Sequence, residues 1–398
     1  MAGSSDDMLT RWGHIQPSLF PWLREEVDPV TAALERLIVV LDTIGLEAYV
    51  PSPPRGGRGR KPDDRRALAR AFVAKAVLGL PTTAAVIERL AIDRSLRRIC
   101  GWESARSVPS EATFSRAFAE FAASELPGRM HEDLVKRTLG DRIVGCVARD
   151  ATEIEAREKP ATSGKGKSGS DDGGDPPLPA APPRRRGRPR KGEERPKPPT
   201  RLERQATQSL PEMLADLPTI CDVGTKRNAK GHQESWTGYK LHIDVADGQI
   251  PVSCLITSAS VHDSQVAIPL MTLTGQRITY LYDLMDAAYD ALRIAEHSQT
   301  LGHVPVIDIN FRKDADAKAE WQAETRRLAI LNIPDPDDAI YNFRTMVERI
   351  NARLKDEFGA RYLRVRGAAK ALCHLMFGLL ALTVDQILRS AAAKAGPA

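Results

Sequence analysis

Over the first 140 residues, apolar side chains recur at helical spacing. Leu34, Leu37, Ile38 and Leu41 share one face of a segment at Thr31–Leu41, which predicts a helix there. An Ala/Leu-rich helix is predicted at about Asp64–Leu78, after the basic loop Arg55-Gly-Gly-Arg-Gly-Arg-Lys-Pro62. Shorter helices are predicted at Thr82–Leu90 and Asp93–Ile99. Another begins near Ser110, a favourable N-cap. Short helices with tight connections, the last bearing Thr113, Ser115 and Arg116, fit a helix-turn-helix-like unit that lays Thr113 and Arg116 against DNA. A bundle with a merely solvated polar face fits the same pattern.

From residue 143 the period changes. Ile143–Ala148 is a compact apolar run that ends at Asp150, and Tyr239–Val245 alternates as a half-buried strand does. Asp247-Gly248 turns the chain, and Val252–Thr257 returns as the second strand of a hairpin. A helix at Ser264–Leu273, a strand at Ile278–Tyr282, a helix near Ala288–His297 and a strand at Val304–Ile309 follow. A further helix spans about Tyr341–Phe358. This order predicts a mixed α/β sheet. The apolar stretch Ala371–Leu388 carries His374, Thr383, Asp385 and Gln386, so it reads as a buried helix and not a membrane span.

The chain has 398 residues and a net charge of +5, and that charge is localised. Residues 158–200 hold eleven Lys and Arg against six Asp and Glu, with ten of the 28 prolines. The remainder is neutral overall, so a polyanion would have to be met by an asymmetric patch, by a basic tether, or by both. The segment has too few apolar residues to offset its ordering entropy and reads as a disordered insert. Five scattered cysteines form no CxxC pair, which fits a reducing cytosol and no cysteine zinc site. The first residues show no basic segment followed by an apolar run, so no export signal is expected.

Two strand ends carry carboxylates: Asp150 after the first, and Asp283 or Asp286 after the fourth. Such groups converge at the edge of an α/β sheet, although most strand-end carboxylates only form turns. On a helical wheel Tyr341, Arg344, Glu348 and Lys355 fall within an arc of about 60°. Phe343, Val347, Ile350, Leu354 and Phe358 form a separate docking face, and Glu357 falls with them. By spacing alone, Arg344 and Glu348 read as an ordinary i,i+4 ion pair.

Tyr341-x2-Arg344-x3-Glu348-x6-Lys355 resembles the YREK signature of DDE-type bacterial insertion-sequence transposases. Trp236-Thr-Gly-Tyr-Lys-Leu-His242, Val261-His-Asp263, Asp286-Ala-Ala-Tyr-Asp290 and Asp150-Ala-Thr152 are similar to further motifs of that family. The resemblance covers about residues 14–388, apart from 158–200. It implies an RNase H-like mixed-sheet catalytic core, at 141–157 and 201–390, preceded by an all-α DNA-binding domain at 1–140. It also implies Asp150, Asp286 and Glu348 as catalytic residues and as ligands of two Mg2+ ions, for which Mn2+ would substitute. Asp286 occupies the motif position that Asp283 does not.

Two divalent cations about 3.5–4 Å apart suit phosphodiester cleavage, and carboxylate oxygens suit hard cations. By the same resemblance Lys355 meets a phosphate near the element's tip, while Tyr341 and Arg344 hold its terminal nucleotides. The partners implied are double-stranded DNA (terminal inverted repeats and target) and a second copy of the chain on that DNA, with no membrane and no small-molecule substrate. A cytoplasmic, nucleoid-associated location goes with them. Arg186-Gly-Arg188-Pro189 within the insert resembles the core of an AT-hook, which lies in a narrow A/T minor groove. A non-specific basic linker is its plain alternative. The rivals for the whole chain are a transposase-derived DNA-binding protein that does not cut, and a metal-dependent nuclease that joins nothing.

Overall fold

The computed structural model describes residues 30–51, 63–160, 199–227, 230–311, 315–330, 340–361 and 363–395. Its N-terminal helices begin where capping side chains stand. Helices α1 (Ala32–Ile44), α2 (Arg65–Val77), α3 (Thr83–Ile92) and α4 (Arg94–Cys100) follow Thr31, Asp64, Thr82 and Asp93. Each of these accepts a hydrogen bond from a backbone N–H two or three residues on, satisfying a donor the helix leaves free. Helix α5 (Glu111–Ala123) starts after Ser110, and α6 (Leu126–Leu139) has no counterpart in the sequence reading. Leu126-Pro-Gly looks like a break, yet Pro127 sits in the first turn, where its missing N–H costs nothing.

The sheet follows. Among the described residues its strands are β1 (Ile143–Glu155), β2 (Asp222–Arg227), β3 (Gln233–Ala246), β4 (Ile250–Ser258), β5 (Thr279–Met285) and β6 (Val304–Ile307). The order is β4-β3-β1-β5-β6, with β2 paired to the N-terminal half of β3. The β1/β3 and β3/β4 pairs are antiparallel, whereas β1/β5 and β5/β6 are parallel. This mixed sheet is that of an RNase H-like core. Short helices α7 (Arg201–Gln205) and α8 (Leu210–Ala215) precede β2. Helix α9 (Ser264–Gly275) connects β4 to β5, α10 (Leu292–Thr300) connects β5 to β6, and α11 spans Ala315–Ile330.

Two corrections concern elements at the site. Strand β1 does not stop at Ala148 but runs on to Glu155, so Asp150 lies within it. The apolar alternation breaks at Arg149, which is nonetheless buried at 1% exposure because two aspartates neutralise it. The helix expected from Tyr341 opens with a 3-10 turn at Asn342–Arg344 before α12 (Thr345–Asp356). The tighter turn swings Phe343 out to 58% exposure, away from the docking face, and Met346 is buried beside Val347, Ile350 and Leu354.

Helix α13 (Ala368–Ala395) binds the two halves together. Its stretch Ala368–Ala393 is long and apolar enough to cross a membrane, yet 72% of its most apolar window is buried. Phe377 stacks on Phe72 of α2 at 5.8 Å between ring centroids, and His131 of α6 meets the Thr383 hydroxyl at 3.1 Å. Leu241, Ile243 and Val245 of β3 belong to the same apolar cluster as α12, α13 and the N-terminal helices. A boundary near residue 140 therefore divides the chain by secondary structure, not by core.

Candidate active site

Parallel pairing sets Ala148 of β1 opposite Leu284 of β5. Two residues beyond that pair stand Asp150, still within β1, and Asp286, just past the end of β5. Chain topology alone thus delivers two carboxylates to one end of the β1/β5 seam. Asp286 leaves the strand and caps the 3-10 turn Ala287–Tyr289, accepting the Ala288 N–H at 3.0 Å. Asp150 accepts the Asn351 amide at 3.0 Å from α12.

Both carboxyls are pushed up from their ordinary range. Burial is the main cause for Asp150, which reaches about 7. The charges of Asp286 and Asp263 add to it, while the Ala151 N–H and Arg344 oppose it. Asp286 moves the same way, by burial and by the charges of Asp263 and Asp308 against Arg344. A dry cluster of anions is costly, and a divalent cation between them is one way to relieve that cost.

Glu348 stands in the first turn of α12, one helical turn before Asn351 and so on the same face. Its carboxylate accepts Arg344 Nη2 at 2.7 Å, and the Arg344 guanidinium lies 5.6 Å from the centroid of the Tyr341 ring. Arg344 therefore lends its charge to all three expected acids but is hydrogen-bonded to one of them. Among the described residues no three Asp, Glu, His or Cys side chains converge closely enough to hold a metal ion. The donors nevertheless suit a hard divalent cation: they are oxygens only, Asp150 lies within the field of Asp286, and Glu348 is held by the Arg344 ion pair. The carbonyl oxygen of Asn351, whose amide nitrogen bonds Asp150, is buried with no hydrogen-bond partner.

Lys355, two turns along α12, donates to Glu153 Oε1 at 3.0 Å, and Lys226 of β2 reaches that same oxygen at 3.0 Å. Burial works against ionisation of Glu153, but the two lysines hold it down at about 2. On β3, beside β1, Lys240 bonds Asp263 at 2.9 Å, and His242 is buried against the Thr257 hydroxyl at 2.9 Å. His262 caps locally through Ser264 at 2.8 Å. Tyr289 is buried with its hydroxyl unpartnered, in the field of Asp263, Asp150 and Asp286.

Asp283 serves another purpose. It receives the Tyr280 hydroxyl at 3.0 Å, the Ser298 hydroxyl at 2.6 Å and Arg149 at 3.5 Å. Arg149 also pairs with Asp244 at 2.6 Å, so this aspartate is a wall of the core. Of the residues expected to touch DNA, Thr113 is 7% exposed, with its hydroxyl beside Arg116 at 3.3 Å, while Arg116 itself is exposed. Arg186 and Arg188 lie outside the described residues.

The reading from sequence passed over Asn351 because it is uncharged. Its position on the wheel, about 20° from Arg344, was the available signal.

Comparison with known families adds two matches. Residues 196–384 match the family described as Transposase DDE domain, and residues 23–120 match one described as Transposase domain. No curated protein and no solved structure matches the chain.

Proposed function

Because the chain belongs to the DDE-type insertion-sequence transposases, we propose that it binds the terminal inverted repeats of its own element, cleaves the phosphodiester bonds at their tips and joins the freed 3′-hydroxyls to target DNA. The observation that carries this reading is the pair Asp150 and Asp286 at the end of the β1/β5 seam, with α12 packed on β1 and β3 and the 3-10 turn before it reaching β5. Asp150, Asp286 and Glu348 would hold divalent cations, Mg2+ or Mn2+. When bound, these supply the charge that activates a water or 3′-hydroxyl and stabilises the leaving oxygen.

The chain's own side chains have defined tasks in this scheme. Glu348 must release Arg344 to serve as the third ligand, and an incoming phosphate is the partner that can take Arg344 over, by paired N–H bonds. Lys355 makes the same kind of exchange, giving up Glu153 for a phosphate oxygen, and Lys226 remains to neutralise Glu153. Tyr341, already against the Arg344 guanidinium, offers a face on which a terminal base can stack. The domain at 1–140, whose described helices include α5 with Arg116 on its surface, would read the repeat. The second copy of the chain is needed because two ends must be held together.

A second reading has its own support. The Arg344–Glu348 pair and the lack of a three-carboxylate group among the described residues suit a protein that holds DNA without cutting it. A labelled duplex ending in the repeat, incubated with Mg2+ and a target plasmid, separates the two. Covalently joined product, lost in Asp286→Asn while the gel shift persists, supports the transposase. A shift with no joined product from either protein supports the binder.

A further inference from the structure

Asn351 is 6% exposed, and its amide donates to Asp150 Oδ2 at 3.0 Å. Its carbonyl oxygen is buried with no hydrogen-bond partner. A buried acceptor left in that state is costly, and a ligand that supplies the donor relieves the cost. The surroundings restrict what that donor is. Asn351 stands one helical turn from Glu348 and bonds Asp150, on whose carboxyl the charges of Asp286, Arg344 and Asp263 act. Tyr289, whose buried hydroxyl is also unpartnered, lies in the field of Asp263, Asp150 and Asp286.

We infer that Asn351 is a positioning residue of the metal centre, acting through both ends of its amide. This rests on the reading of Asp150, Asp286 and Glu348 as a divalent-cation site. The Nδ2–H bond holds one oxygen of Asp150 and leaves the other directed to the cation. The carbonyl oxygen accepts a hydrogen bond from a water in the cation's hydration shell, which Mg2+ gives up reluctantly. An uncharged amide suits the task. It aligns the carboxylate without adding a fourth negative charge to a cluster that burial already strains, as outer-shell partners do at other metal centres.

The test measures Mn2+ binding to the full-length protein by the loss of the free-ion electron paramagnetic resonance signal, beside thermal melting and gel shift on repeat DNA. The variants are Asn351→Ala, Asn351→Leu, which keeps the packing volume, and Asp150→Ala as reference. Wild-type binding that Asp150→Ala abolishes upholds the underlying reading. Against that background, a loss of Mn2+ affinity of about tenfold or more in both Asn351 variants, with DNA binding and metal-free melting retained in Asn351→Leu, supports the inference. Wild-type Mn2+ affinity in a folded Asn351→Leu overturns it and leaves the metal centre standing. Absence of Asp150-dependent binding in the wild type overturns both.

Discussion

Asp283 and Asp286 are three residues apart and have opposite parts. Asp283, with Asp244, encloses the Arg149 guanidinium, so Arg149→Met leaves two buried carboxylates without their cation. Thermal or denaturant unfolding should show a loss of about 3–5 kcal/mol, the usual result of breaking a buried pair from one side. Asp150 behaves in the reverse manner. Its carboxyl sits at about 7 in the folded chain against about 3.9 unfolded, so the folded state holds the proton more tightly. Stability from this group is complete below pH 4, falls as pH rises between 4 and 7, and is gone above 7. Asp150→Asn should therefore match wild type near pH 4 and exceed it by about 2–4 kcal/mol at pH 8, while abolishing cleavage. Denaturant titrations at the two pH values decide this, and a variant less stable than wild type at pH 8 would refute the electrostatic account.

At the scale of elements, local chemistry explains which parts were legible. The caps Thr31, Asp64, Thr82 and Asp93 declare their helices because the capping bond is made within three residues. The far end of β1 was hidden because Arg149 interrupts the apolar pattern and its partners Asp244 and Asp283 are distant in sequence. The β1/β5 register, which brings Ala148 opposite Leu284 and so Asp150 and Asp286 to one end of the seam, is likewise a long-range fact. The common face of Tyr341, Arg344, Glu348 and Lys355 follows from helical spacing, but the pairing of Lys355 with Glu153, shared with Lys226, needed the fold. Phe343 was misplaced because 3-10 geometry departs from 100° per residue. A double comparison follows: Leu354→Ala, in the buried seam of α12, should cost about 2–5 kcal/mol, whereas Phe343→Ser should change stability by less than about 0.5 kcal/mol. Equal losses from both would show that α12 docks by a different face.

In the whole molecule, α13 couples the helical layer to the sheet, and one of its contacts is sensitive to acid. Burial lowers His131 to about 3, with the Arg277 charge adding to the effect, so His131 stays neutral when folded and gains a proton only on unfolding. Its contribution is intact above pH 6.5 and declines as pH falls, by about 1.4 kcal/mol per unit until the folded group itself titrates. His131→Gln keeps a donor for Thr383 and removes that proton, so its stability relative to wild type should improve steadily from pH 6 to pH 4. A pH-independent difference would place the acid sensitivity elsewhere.

The central claim, that three carboxylates from β1, β5 and α12 cut DNA at the element's own ends, is tested most directly on a supercoiled plasmid carrying both ends. The protein is incubated with it and Mg2+, beside Glu348→Ala and an EDTA control. Cuts mapping to the repeat tips with wild type alone, and an undiminished gel shift with Glu348→Ala, are the predicted result. Cutting by Glu348→Ala at the wild-type rate, or an intact plasmid shifted by every protein in the presence of Mg2+, would contradict it.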